Sequence, residues 1–169
     1  PNEKMDIFLP PRVASPMAMF IHGGYWRSLD KSDFSDKVSA LTDAGAAVAV
    51  VNYSLCPGAS VGAIVDEMRR AVIWLWRNAG NFGGNRYGIQ LIGHSAGAHL
   101  AAMLLATHWQ ELASALPRCP IQSAVAISGI FDLDPLLHIP VNQDLKLTAE
   151  SARRLSPFYM RPVCPAPLT

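Results

Sequence analysis

A serine flanked by glycines two positions to either side, Gly93-His94-Ser95-Ala96-Gly97, has the pattern of a nucleophile held on a sharp turn. The apolar run Ile89-Gln90-Leu91-Ile92 precedes it and a long apolar segment, Ala98 to Ala106, follows, so the context reads strand, turn, helix. The glycines let the strand and helix backbones pass close together. The serine hydroxyl then projects above the sheet. The N–H of Ala96 is left at a helix N-terminus, where donors lack partners and the dipole favours developing negative charge. A second motif, His22-Gly23-Gly24-Tyr25-Trp26, closes another apolar run, Met17 to Ile21. Acyl transfer creates an oxyanion, and a glycine-rich loop after an early strand is the second place from which its donors come. Losing one such donor costs about 10²–10³ in turnover. Taken alone, Gly23-Gly24 also suits an ordinary turn; beside the serine motif it reads as the second donor loop.

The elements that must position these motifs follow from periodicity. Met5 to Leu9 is a short strand stopped by Pro10-Pro11. Met17 to Ile21 and Ala46 to Asn52 are apolar runs suited to strands buried on both faces. Between them, Ser28 to Asp33 offers N-caps, Phe34, Val38 and Leu41 recur at helical spacing, and Gly45 suits the stop. Tyr53 to Ser60, with Pro57-Gly58, is a loop. Val61, Ile64, Val65, Met68, Val72 and Leu75 share one face, which predicts an amphipathic helix from Val61 to Asn78, with Trp74 and Trp76 in packing roles. The glycines between Gly80 and Gly88 lack G-K-[ST], which excludes a phosphate loop. The serine motif's helix runs to about Thr107, and Ser123 to Ser128 is a further strand. Residues 136–161 loosen into short, polar, helical pieces, expected to form a lid or pocket wall, and Pro162 to Thr169 approaches another strand. Strands alternating with helices make one α/β domain over residues 1–169, a mostly parallel sheet with helices on both faces. Ligands in such sheets sit beyond the carboxyl ends of the strands, where both motifs lie.

Composition narrows the function classes. The chain has 169 residues, 50% hydrophobic and 16% charged, with a net charge of +1, so a single core is easily built. Nothing in that balance points to nucleic acid or a membrane surface. Cys56, Cys119 and Cys164 are odd in number and widely spaced, with no C-x-x-C, which predicts neither a disulfide framework nor a zinc site. A reducing, cytoplasmic setting is the corresponding expectation. The apolar runs fall short of the about 18 residues that span a bilayer, and no signal-peptide pattern is visible.

Several stretches together resemble the α/β-hydrolase superfamily, and within it the arylformamidase (kynurenine formamidase) and related esterase group. They are HGGYW, the Asn52-Tyr53-Ser54-Leu55-Cys56-Pro57 loop, GHSAGAHLAAM from Gly93 to Met103, and SGIFDLDPL from Ser128 to Leu136. Asn142 through Pro157 extends the likeness. HGG-x-W in place of HGGG is the more specific clue. The resemblance implies Ser95 as nucleophile, oxyanion N–H groups from Gly24, Tyr25 and Ala96, and Gly23 permitting the turn. It implies N-formylkynurenine as a small-molecule substrate, no metal or organic cofactor, and an α/β-hydrolase fold lacking its C-terminal strands and helices. Tyr25, Trp26 and His94 are candidate pocket residues, Trp26 equally a brace for the loop. A homodimer is compatible with the sequence.

In this fold the triad runs serine, acid, histidine along the chain. The acid is expected just after the strand that Ala166-Pro167-Leu168-Thr169 begins, and the histidine later, so neither is expected within this chain, which reads as an interior segment of a longer protein. Asp132, Asp134 and His138 follow Ser95 in the right order, but the aspartates suit capping of the next short helix. His22 is expected to fix the shape of its loop, His99 to be a packed or exposed helical histidine, and His108 to serve the helix C-terminus. A small-ester carboxylesterase shares every motif, and a non-catalytic hydrolase-fold binding protein is the rival from another class.

Overall fold

The structure, a computed structural model, describes residues 2–11 and 16–169. Five strands form one sheet: β1 (Met5–Phe8), β2 (Met17–Ile21), β3 (Ala47–Val51), β4 (Ile89–His94) and β5 (Ile121–Ile127), in the order β1-β3-β2-β4-β5. β1 runs antiparallel to β3 at one edge; the other pairings are parallel. β3, Ala-Val-Ala-Val-Val, is buried along its whole length, as a strand covered on both faces must be.

Helices cover both faces of the sheet. On one face lie α2 (Val61–Asn78) and α3 (Ala96–Leu105), whose Ile64, Met68, Leu75, Leu100 and Leu104 pack on Met19, Ala49 and Leu91. α2 spans the residues its periodicity predicts, and Ser60 caps it by accepting from Ala63 N–H at 3.2 Å. On the other face, Phe34, Val38 and Leu41 cover Ala18, Val48 and Val50. Their spacing predicts one helix. The structure has instead a 3₁₀ turn, Lys31–Phe34, and a short α1 (Ser39–Asp43). Hydroxyls explain the break: Ser35 donates to Lys31 O and Ser39 to Asp36 O, satisfying carbonyls that a continuous helix would use.

After α3 comes the one-turn α4 (Trp109–Leu112), whose Trp109 is fully buried. Beyond β5, the excursion contains a 3₁₀ turn (Asp134–His138), α5 (Asn142–Leu145), α6 (Ala149–Arg154) and a second 3₁₀ turn (Pro157–Tyr159). Leu136, Leu145, Leu147, Ala152 and Leu155 join the main core, so the excursion is packed down rather than free-standing. The terminal residues run parallel to β5: Ala124 N–H donates to Pro167 O at 2.9 Å and Ala126 N–H to Thr169 O at 2.8 Å. These bonds form a single parallel bridge at the place where the sequence approaches another strand.

One expectation is overturned. Cys119 and Cys164 form a disulfide, although the odd count and wide spacing point away from one. The reason is tertiary: Cys119 lies just before β5, and Val163 and Cys164 donate their N–H groups to Leu105 O at the end of α3, which returns the chain to that spot. Cys56 is free and buried, and burial pushes its thiol pKa up to about 11. Under denaturing conditions without reductant, thiol titration is expected to find one free thiol per chain, and three after reduction. Three thiols before reduction would contradict the pairing.

Candidate active site

The serine motif sits where β4 meets α3. Ser95 has φ 55° and ψ −115°, a strained conformation for a residue with a side chain, and of a kind that costs about 1–3 kcal/mol. Its N–H is held by Ile127 O at 2.7 Å, and its carbonyl accepts from Ala98 and His99, so the turn is fastened on both sides. The flanking glycines answer to steric necessity. A Cβ on Gly93 would strike the Gly97 carbonyl, and one on Gly97 would strike the carbonyls of Ile21 and His22. The start of α3 therefore rests directly on the backbone at the end of β2.

That contact brings the two motifs together. β2 and β4 pair in parallel with Ile21 opposite Gly93, so the residues that follow, His22-Gly23 and His94-Ser95, leave the sheet side by side. A Cβ built on Gly23 would lie 3.2 Å from Ser95 Cβ and 3.0 Å from His94 Nδ1. The donor loop then turns through three residues with positive φ: Gly24 (100°), Tyr25 (50°) and Trp26 (55°). The strain is held in place by Arg27 and Ser28, whose N–H groups donate to Gly24 O at 3.0 and 3.1 Å, and by Cys56 N–H on Trp26 O at 2.8 Å. Among the described residues, the N–H groups of Gly24, Tyr25 and Ala96 have no backbone acceptor. Ala96 N–H also has the N-terminal end of α3 behind it.

A buried polar network lies beneath the donor loop. His22 is fully buried, its ring 4.2 Å from the Tyr53 ring in a stacked arrangement. Its Nδ1 is 2.8 Å from Gly23 O and its Nε2 is 3.1 Å from Asn52 Oδ1. Burial lowers the His22 pKa against the opposing pull of these contacts, and a neutral ring donates to one of the two. Asn52 in turn donates to Asp30 Oδ2 at 2.6 Å and accepts from Lys31 N–H. The Tyr53 hydroxyl is 2.9 Å from both His22 O and Gly23 O. As expected, His22 is engaged with its own loop.

Tyr25 is 43% exposed, His94 is exposed and Ser95 half-buried, so these three face the open side. Trp26 does not. Its side chain is fully buried, edge-on to His99 with ring centroids 4.9 Å apart, so of its two expected roles it is the brace and not an accessible pocket wall. His99 is likewise buried, with Nε2 donating to Leu155 O at 2.7 Å, which ties α3 to the excursion. Asp132 Oδ1 accepts from Asp134 N–H at 3.1 Å, and Asp134 Oδ2 accepts from the Tyr159 hydroxyl at 3.4 Å. Asp132 thus closes a local turn onto Asp134, while the N-cap position of the following 3₁₀ turn falls to Leu133 with no side-chain cap, so neither aspartate is the N-cap expected of it. His108 precedes α4 and is 3.7 Å from Glu111. Among the described residues, no histidine ring is hydrogen-bonded to the Ser95 hydroxyl. A cavity of about 650 Å³ lies between β1 and α2, lined by Met5, Ile7, Asn52, Glu67 and Trp74 among others. Neither Ser95 nor Gly23 to Trp26 lines it, so backbone geometry rather than this hollow locates the site. No helix of the described residues is long and apolar enough to cross a membrane.

A mostly parallel sheet, a strained serine between strand and helix, and a glycine-rich donor loop against it define an α/β-hydrolase. Residues 5–153 match the family described as BD-FAE, and the chain belongs to that family. It is 39% identical to a kynurenine formamidase of Danio rerio over 158 residues, covering 92% of this chain and 52% of that protein. A kynurenine formamidase of Salmo salar is 37% identical over 163 residues, covering 95% of this chain and 53% of that protein. A solved structure of a candidate thioesterase from Silicibacter sp. superposes with a TM-score of 0.80 at 35% identity, covering 93% of this chain and 56% of that one. The chain spans about half the length of the curated relatives it matches.

The sequence names Asn52 and Tyr53 only as part of a loop, and their hydrogen bonds to the donor loop and its histidine were not foreseen, whereas the burial of His99 decides between its packed and exposed alternatives. Tyr53 and Asn52 are adjacent polar residues directly after a buried strand, which was the available signal.

Two outcomes follow from this geometry. Gly97→Ala should destabilise the protein by at least about 1–3 kcal/mol through overpacking against backbone that cannot yield. Thermal melting checks this, and an unchanged midpoint would contradict the close approach. Burial also pushes the His99 pKa down to about 4, against about 6.5 in an unfolded chain. The native state then binds fewer protons, so this contribution is full above about pH 6.5 and is lost as pH falls to about 4, amounting to about 3 kcal/mol. Urea midpoints across that range should fall in the wild type and fall less in His99→Gln.

Proposed function

We propose that this chain is the nucleophile-bearing part of a serine hydrolase cleaving an aryl formamide or a small carboxylic ester, with N-formylkynurenine as the preferred substrate. One observation carries the reading: Ser95 stands in a strained turn with Gly23 packed against it, so the serine and the glycine loop, from two separate strand ends, stand side by side. Such a juxtaposition serves acyl transfer, where charge develops on a carbonyl oxygen.

In this reading Ser95 Oγ attacks the substrate carbonyl and the N–H groups of Gly24, Tyr25 and Ala96 receive the oxyanion. A histidine takes the serine proton and returns it to the leaving amine or alcohol, and an acid orients that histidine. Asp132, Asp134, His22 and His99 are engaged elsewhere, which supports an acid–histidine pair supplied from outside these 169 residues. An acyl-enzyme forms, here a formyl or short acyl ester, and water releases it. No metal or organic cofactor takes part. Tyr25 and His94, on the open side, suit contact with an aromatic leaving group, and residues 136–161 suit a pocket wall. The formamidase names of the two fish relatives support the formamide, and the thioesterase name of the bacterial structure supports acyl transfer to water more generally.

The test is hydrolysis of N-formylkynurenine by the full-length gene product beside a short-chain aryl ester, with Ser95→Ala as control. Triad serines removed elsewhere cost on the order of 10⁶ in turnover, so the control should lie near background. Ser95-dependent turnover of the formamide well above that of the ester is the expected result. Activity on the ester alone would keep the mechanism and discard the substrate. Activity on neither would favour a ligand-binding module.

A further inference from the structure

We infer that the Tyr53 hydroxyl is the positioning group of the donor loop, fixing the direction in which the loop's N–H groups point. The inference rests on the serine-hydrolase reading for its kinetic consequence, though the clamp itself is a matter of geometry. The Tyr53 side chain is fully buried, and its hydroxyl stands 2.9 Å from the carbonyl oxygens of His22 and of Gly23. A carbonyl only accepts, so the phenol proton is shared between the two in a three-centre hydrogen bond. Burial also holds the phenol well above its ordinary pKa, which keeps that proton in place at any working pH.

The consequence follows from the planarity of the peptide. In a trans peptide the C=O and N–H of one plane point in opposite directions. Anchoring His22 O fixes the N–H of Gly23, and anchoring Gly23 O fixes the N–H of Gly24, both turned away from the buried ring. Gly23 is the residue that packs against Ser95 and His94. The glycines cannot hold this orientation by themselves, because Gly24 lacks the side chain that would narrow its choices. His22 is a weaker anchor, since its neutral ring carries one N–H and so donates to only one of Gly23 O and Asn52 Oδ1.

Tyr53 is itself held rigidly. It follows β3 directly, its ring stacks on His22, and the next N–H, that of Ser54, donates to the buried carboxylate of Glu67 on α2 at 2.7 Å. The donor loop is thereby referenced to β3 and α2, two elements that take no part in the serine turn.

The experiment compares full-length wild type, Tyr53→Phe and Ser95→Ala, the phenylalanine keeping the ring and its stacking. Expected for Tyr53→Phe is a fall in kcat of between about 10- and 1000-fold, the upper end being the outright loss of a donor, with KM little changed. The backbone order parameter of Gly24 is expected to fall from about 0.85 towards 0.6 in the same variant. A merely structural role would move the melting temperature but neither the KM-against-kcat split nor Gly24 alone. Wild-type kcat and an unchanged Gly24 order parameter would overturn the inference, while loss of activity in Ser95→Ala would leave the serine reading standing. If no turnover depends on Ser95, the serine reading fails, and the Gly24 order parameter alone decides the clamp. If Tyr53→Phe does not fold, the wild-type hydroxyl proton is measured instead: a slowly exchanging Tyr53 hydroxyl resonance supports the clamp, and a rapidly exchanging one overturns it.

Discussion

The site depends on one contact between backbones: the first turn of α3 lies directly on the carbonyls at the end of β2. Only a glycine at position 97 leaves room for it, and only a glycine at 93 lets the strand pass the returning helix. The register sets this up, because Ile21 stands opposite Gly93 in the parallel pairing. Whatever follows each strand must then emerge beside the other. The serine turn and the glycine-rich loop are neighbours because two adjacent parallel strands end at the same level, not because either loop reaches for the other.

This economy concentrates strain. Ser95, Tyr25 and Trp26 all carry positive φ in residues that have side chains. Conformations of that kind persist where the surroundings over-determine them. Here the surroundings are Ile127 O on the serine N–H, Gly24 O receiving two N–H groups, and a fully buried Trp26 braced against His99. His99 passes the same support to the excursion through Leu155 O, so α3, the donor loop and residues 136–161 share one joint. A buried polar layer beneath, His22 with Asn52 and Tyr53, ties the loop to β3. Tyr25 is exposed and Ser95 half-buried, while Trp26 and this polar layer are buried beneath them.

Much of the architecture is legible in the sequence because local and global signals agree. The β3 run Ala47–Val51 is uniformly apolar and uniformly buried, and the α2 face is periodic enough to give both ends of the helix. The serine motif is legible because its glycines answer a steric demand that recurs wherever strand and helix meet so closely. What escaped was set by tertiary arrangement. The predicted helix across Phe34, Val38 and Leu41 keeps its packing but not its continuity, since serine hydroxyls compete for its carbonyls. The Cys119–Cys164 disulfide joins residues 45 apart that meet only because the excursion returns to the end of α3. Trp26 offered two readings, and only its burial chooses between them. Tyr53 carried no spacing rule to mark it, as a hydroxyl bound to two backbone oxygens belongs to no pattern of side chains.

The most direct measurement is covalent labelling of the full-length product by a fluorophosphonate ester, with the modified peptide located by mass spectrometry. Such a reagent takes on tetrahedral geometry at phosphorus and reacts with a serine whose hydroxyl is activated beside preorganised donors. A single adduct on Ser95, suppressed by excess substrate, is the predicted result. An unlabelled protein, or an adduct on any other residue, would contradict the claim that the two motifs form one working nucleophile site.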